Sequence, residues 1–285
     1  LSLERDALIK TTRAVMSSFD DSGDLFLGGT AMIASDMISF IKSDLQYFAL
    51  GVLIMFVLTL SAIFKKVRWV LMPLVSSALI ALFVIGFLGW MDWRVTVVSS
   101  NFISLLLIIS ISLTIHLIVR YQELFESNPS LNKTELISLT IEQMLKPCFY
   151  TALTTIIAFA SLGVSEIKPV IDFGKMMVAG IFFAFIFSFI LFPIFMLLFT
   201  SDQGKESKDF SKGVTVIFSS LTERFGNYII LIALFLFSIS LYGINQLTVE
   251  NRFIDYFKPS TEIYKGMELL DTKLGGTAPL DIVIN

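Results

Sequence analysis

Residues 101–123 read NFISLLLIISISLTIHLIVRYQE. From Asn101 to Val119 the run contains no Lys, Arg, Asp or Glu, and it stops at Arg120. About 20 mostly apolar helical residues cover the hydrocarbon core of a bilayer. A chain in lipid must satisfy its own backbone hydrogen bonds, so such a run is read as a membrane-spanning helix. Outward from this stretch, five more segments meet the same criterion: Tyr47–Phe64, Val70–Gly89, Pro147–Gly163, Phe173–Phe199 and Tyr228–Leu247. The run starting at Pro147 is the most diluted, by Thr151, Thr154 and Thr155. Six spans in one chain define a polytopic membrane protein.

Composition agrees. Of 285 residues, 55% are hydrophobic and 16% charged, and the mean hydropathy is +0.80. That is too apolar for a soluble domain or a disordered chain. A net charge of −3 gives no basic surface for nucleic acid. One cysteine, Cys148, and one histidine, His116, exclude a disulfide framework and a Cys- or His-rich metal site. No dinucleotide, P-loop or nucleophile-elbow motif is present. No cofactor, no metal and no enzymatic activity is expected.

Loop charge orients the spans. Lys65, Lys66 and Arg68 lie in the first loop, Arg120, Lys133 and Lys146 around the third, and Lys205, Lys208, Lys212 and Arg224 in the fifth. Against these ten, the alternate loops hold only Arg94 and Lys168. The basic loops are therefore expected in the cytoplasm and both chain ends outside it. Trp90 and Trp93 fit an interfacial aromatic belt. Within the third loop, Asn132 and Glu135 have capping-box spacing, and Leu136, Ile137, Ile141, Met144 and Leu145 recur at helical spacing. Lys133–Leu145 reads as an amphipathic helix on the membrane face, or equally as a helix packed under the bundle. Val214–Phe225 reads as a second such helix.

The ends carry their own pattern. Leu1–Phe19 reads as a helix, Asp24–Thr30 as a strand ending in Gly28-Gly29, and Met32–Gln46 as an amphipathic helix running into the first span. Ser260 is placed to cap a helix that ends near Leu274 at Gly275-Gly276, and Pro279–Ile284 alternates like a strand. The expected fold is thus an all-α, six-span membrane bundle with partial α/β extracytoplasmic segments at both ends. Its parts are 1–46 (end of a first extracytoplasmic domain), 47–199 (five-helix bundle), 200–227 (cytoplasmic linker), 228–247 (sixth span) and 248–285 (start of a second extracytoplasmic domain). A chain that opens on Leu1 and stops inside an alternating run is expected to be a central piece of a larger protein.

Polar groups in hydrocarbon cost free energy unless paired, so they tend to face a bundle interior or a water path. Asn101, Ser104, Ser112 and His116 fall within about a third of the helix circumference. Ser110 and Thr114 lie off that stripe and can satisfy themselves on the carbonyl four residues earlier. Tyr150, Thr151, Thr154 and Ser161 share one side of the next-but-one segment, with Thr155 at its margin. The transport-path candidates are therefore Ser112, His116, Asn101, Ser104, Thr151, Thr154 and Thr155. Ser and Thr also serve plain helix packing, at about 0.6 kcal/mol each. His116, one turn before Arg120, suits an interfacial anchor as well as a proton carrier.

Ile115-His116-Leu117 through Arg120-Tyr121-Gln122-Glu123 resembles the fourth membrane helix of the resistance-nodulation-division (RND) superfamily. Pro147, Ala152-Leu153-Thr154-Thr155, Ala158-Phe159, Leu162, Ser165, Pro169 and Phe173-Gly174 resemble the helix that follows it. Asp255-Tyr256-Phe257-Lys258-Pro259 and Leu274-Gly275-Gly276-Thr277 are similar to the start of the second periplasmic domain in the MMPL-like, hydrophobe-exporting branch. In that branch helices two to six resemble a sterol-sensing domain. The resemblance implies an exporter of lipid or another hydrophobic molecule in the inner (cytoplasmic) membrane, driven by the proton gradient through residues mostly outside this chain. The alternative is a lipid- or sterol-sensing regulator without active transport. Implied partners are membrane lipids, a hydrophobic small-molecule or lipid substrate, the remainder of the same polypeptide and, as an option, a second copy of it. One departure stands out. The family usually has an Asp-Tyr pair where this chain has Ser112 and Leu113. Coupling then runs through residues elsewhere, or His116 contributes, or the protein is not proton-driven.

Overall fold

A computed structural model describes residues 2–19, 25, 27, 29–64, 66–93, 101–198, 210–247 and 253–273. Helices α1 (Ser2–Ser17), α2 (Thr30–Phe64), α3 (Val67–Trp90), α4 (Phe102–Ser127), α5 (Lys133–Ala160), α6 (Lys168–Leu198), α7 (Phe210–Ile244) and α8 (Glu262–Lys273) follow one another, with short 3-10 turns at Ser161–Val164 and Phe253–Tyr256. Six of these contain a stretch long and apolar enough to cross a membrane, one in each helix from α2 to α7. The all-helical reading of the spans is therefore met.

The α/β reading of the ends is not. Among the described residues there is no strand. Leu25 and Leu27 carry no regular structure, and α2 opens at Thr30, directly after Gly29 at φ +135°. Alternation alone makes no strand without a neighbour to take its backbone hydrogen bonds. Gly275-Gly276 and Pro279–Ile284 lie outside the described residues. The cap of α8 also sits one residue later than expected. Thr261 Oγ1, not Ser260, accepts the Tyr264 amide at 3.3 Å. Met32–Gln46 does continue into the first span, as one helix of 35 residues.

The chain divides into two compact units, Ile41–Val214 and the pair Leu1–Phe40 with Thr215–Asn285. In the first, α3 to α6 form the bundle. One cluster gathers Trp69, Leu117, Ile118, Tyr121, Leu136, Ile137, Phe192 and Met196; a second gathers Val84, Phe102, Leu106, Met177, Ile181 and Ala184. Rings interlock α3 with α6: Phe83 lies 4.5 Å from Phe187, and Phe87 4.8 Å from Phe183. The end of α3 is set locally. Asp92 takes a left-handed φ of 53°, its amide bonds Gly89 O, and the Trp93 amide reaches back to Leu88 O. That double bond is a Schellman stop with aspartate in the position glycine usually holds.

Lys133–Leu145 is not a separate surface helix. It is the first half of α5, which runs on through Pro147. The Asn132 amide donates to Glu135 Oε2 at 3.0 Å, so the expected cap forms. Leu136 and Ile137 are buried against α4 and α6, which selects the packed alternative. At 1.5 Å per residue α5 is about 42 Å long, beyond a hydrocarbon core of about 30 Å, so one end extends past it.

In the other unit Ile9, Met32, Ile254, Ile263 and Met267 form a small core. Arg13 donates to both carboxylate oxygens of Asp36, at 3.1 and 2.6 Å, and pairs with Glu262 at 2.8 Å. The hydrogen bonds to Asp36 and the two negative charges hold the guanidinium above its ordinary pKa, against a smaller effect of burial. Helix α7 breaks at Phe225 (φ −120°, ψ 18°), which separates the expected Val214–Phe225 helix from the last span.

Candidate membrane cleft and family

Four of the seven candidate side chains meet in one place. Ser112 and His116 from α4 and Thr151 and Thr155 from α5 line a cleft of about 270 Å³. Each pair is spaced i, i+4, so each presents two polar groups on the same strip of helix surface. Ile108, Ile109 and Leu113 of α4, Met144, Pro147, Cys148 and Ala152 of α5, and Ile181 of α6 complete the lining. The cleft is open on one side, and Ser112, His116 and Thr151 are exposed there.

The threonine protons are already used. Thr151 Oγ1 donates to Pro147 O at 3.0 Å and Thr155 Oγ1 to Thr151 O at 2.7 Å. Their oxygens therefore offer lone pairs, not protons, to anything in the cleft. Pro147 has no amide to give Gln143 O, which loosens the helix ladder beside the same wall. No carboxylate lines the cleft, so among the described residues its polarity comes from hydroxyls, an imidazole and a thiol. It can accept hydrogen bonds from a polar group on an otherwise apolar molecule.

The other three candidates lie elsewhere. Asn101 is exposed at the N-terminus of α4, and Thr154 is exposed off the cleft, with its hydroxyl on Tyr150 O and Thr151 O. Ser104 is buried but does not line the cleft. The stripe on α4 thus does not face one closed interior. Ser110 and Thr114 are turned fully inward; Thr114 bonds back to Ser110 O, four residues earlier as expected, whereas Ser110 bonds Leu107 O, only three residues earlier. Sequence reasoning missed Ser76 and Ser188, whose hydroxyls are buried without a hydrogen-bond partner among the described residues. It also missed Met144 and Cys148 as cleft walls. The i, i+4 relation of Met144 and Cys148 to each other, and of Cys148 to Ala152, is the signal that could have found them.

The pattern that defines the MMPL family matches residues 4–217. No curated protein matches the chain. The match takes in α1 to α6 and with them every wall of the cleft. Spanning well over half of a chain whose helices cross a membrane six times, it makes this protein a member of the MMPL family.

Proposed function

We propose that the protein is an RND-type transporter, not an enzyme, that moves a lipid or another hydrophobic molecule outward across the inner membrane. The observation that carries this reading is the cleft between α4, α5 and α6. It is apolar on most of its wall, open on one side, and edged by acceptor oxygens at Thr151 and Thr155. Such a surface suits an amphiphile's tail and its polar end together. Family membership supports the same substrate class. The test is transport by the full-length protein in sealed vesicles, with a fluorescent lipid and an imposed pH gradient. Gradient-dependent export supports the reading. Lipid-dependent conformational change without net movement would replace it by a sensor.

Proton coupling is a finer part of the proposal. Ser112 and Leu113 stand in the cleft where the family usually has its Asp-Tyr pair. His116 is read as an anchor, and coupling is assigned to residues beyond this chain. His116→Gln keeps a hydrogen-bonding side chain of similar reach and should leave export largely intact. Loss of gradient-dependent export, with binding retained, would make His116 a carrier, because glutamine does not titrate between pH 5 and 8. Ser112→Asp should insert without raising export, since Leu113 still lacks the tyrosine hydroxyl; a pH-dependent gain would contradict this.

The proposed topology puts the basic loops in the cytoplasm and residues 1–46 and 248–285 outside. Residues 47–199 and 228–247 then form the spans and 200–227 a cytoplasmic linker. In intact cells Ser130→Cys should be hidden from an impermeant thiol reagent and Glu166→Cys should react. The reverse labelling would invert the orientation.

A further inference from the structure

Two arginines of this protein are held by acids. Arg13 holds Asp36 and Glu262, and Arg120 holds Glu123 at 2.7 Å and the Gln143 side chain at 2.6 Å. Arg68 is different. Its guanidinium lies 4.7 Å over the Trp69 ring, and its Nε, like that of Arg13, is buried without a hydrogen-bond partner among the described residues. Among the described residues no carboxylate lies within ion-pair distance of it. The half-buried guanidinium has no anionic partner among the described residues, and a bound anion would supply one.

The depth of Arg68 says which acceptor is at hand. Trp69 and Trp90 stand near the two ends of α3, 21 residues apart in number. At 1.5 Å per residue that is about 31 Å, the thickness of a hydrocarbon core. With Val67–Trp90 as the span, Arg68 stands in its first turn, where the level of lipid phosphates is expected. Trp69 is itself fixed, at 7% exposure, with its ring 6.2 Å from that of Tyr121. The guanidinium is therefore held on a rigid aromatic floor and does not sweep freely. The leading amides of α3 add partial positive charge at the same point.

We propose that Arg68, seated on Trp69 at the start of α3, binds the phosphate of an anionic membrane phospholipid. The planar fork matches two phosphate oxygens, and the ring below holds the fork in place. This site is separate from the cleft and stands independently of the transport reading.

The test uses the whole chain in lipid nanodiscs of phosphatidylcholine, with and without phosphatidylglycerol. Thermal unfolding is followed for the wild type, Arg68→Gln and Arg68→Lys. Phosphatidylglycerol should raise the wild-type midpoint. Arg68→Gln should unfold normally in phosphatidylcholine but require about fivefold more phosphatidylglycerol for the same effect. Arg68→Lys, which keeps the charge but not the fork, should fall between. Inorganic phosphate added to phosphatidylcholine discs tests the other source. A shift with phosphate alone, lost in Arg68→Gln, keeps the phosphate site and makes its occupant soluble. Equal phosphatidylglycerol shifts in all three proteins overturn the proposal, as does a shift lost equally in Arg68→Gln and Arg68→Lys together with their unfolding in phosphatidylcholine.

Discussion

Phe192→Ala is expected to destabilise the bundle by about 2 kcal/mol, the cavity share of the cost of removing a buried aromatic ring. Phe192 has no exposed surface and sits edge-on to Tyr121, with ring centres 6.3 Å apart. Around it are Trp69, Leu117, Ile118 and Met196. In lipid the loss is not one of hydrophobic transfer, because acyl chains are as apolar as the core. It is a loss of contacts to a void, since α3, α4 and α6 meet there and cannot all close in. Pro193, the next residue, fixes φ at that point of α6 and limits how far the helix can follow. Unfolding in graded denaturing detergent would measure the effect. A variant as stable as wild type would mean that the site collapses freely or that lipid refills it.

Gly174→Ala is expected to cost about 2 kcal/mol, although alanine is the better helix former by about 1 kcal/mol. A Cβ at Gly174 would stand 2.7 Å from the Phe159 carbonyl oxygen and 3.0 Å from Leu162 Cβ. The first of these is backbone, at the junction of α5 with the turn Ser161–Val164, so relief requires moving that junction against α6. The edge-to-face pair of Phe159 and Phe173, 5.8 Å apart, would move with it. Gly180→Ala should be milder, because the atoms met there are the ring of Phe102 at 2.9 Å and the side chain of Leu106 at 3.2 Å. Gly86→Ala is the control: nothing lies within 4 Å of its added carbon, and it should be neutral or slightly stabilising. Equal unfolding midpoints for Gly174→Ala and Gly86→Ala would show that the junction yields without cost.

What could be read in the chain alone was local in cause. Each span is a run of side chains that tolerate hydrocarbon around a backbone that satisfies itself, and both properties belong to the segment. The cap at Asn132 and Glu135, the passage of Met32–Gln46 into the first span, and the helix break near Phe225 are likewise decided by neighbours in sequence. The motifs around His116 and after Pro147 pointed to the family for the same reason, being short ordered runs.

The facing of the helices was decided only in three dimensions. Leu82 is 70% exposed and Val84 fully buried, yet both are apolar and two residues apart. Ser110 is fully buried and Ser112 lies open on the cleft, though they are the same residue on the same turn of α4. A soluble helix marks its inner side by polarity; in lipid the outer side is apolar too, and the mark disappears. What then chooses the inner face is fit: whether Gly174 and Gly180 let α6 close on its neighbours, and where Phe102 and Phe192 find room. The merging of Lys133–Leu145 with the span after Pro147 belongs to the same class. Leu136 and Ile137 could cover a membrane surface or a bundle equally well. Contact with Leu117, Tyr121 and Phe192, none of them near in sequence, made the choice.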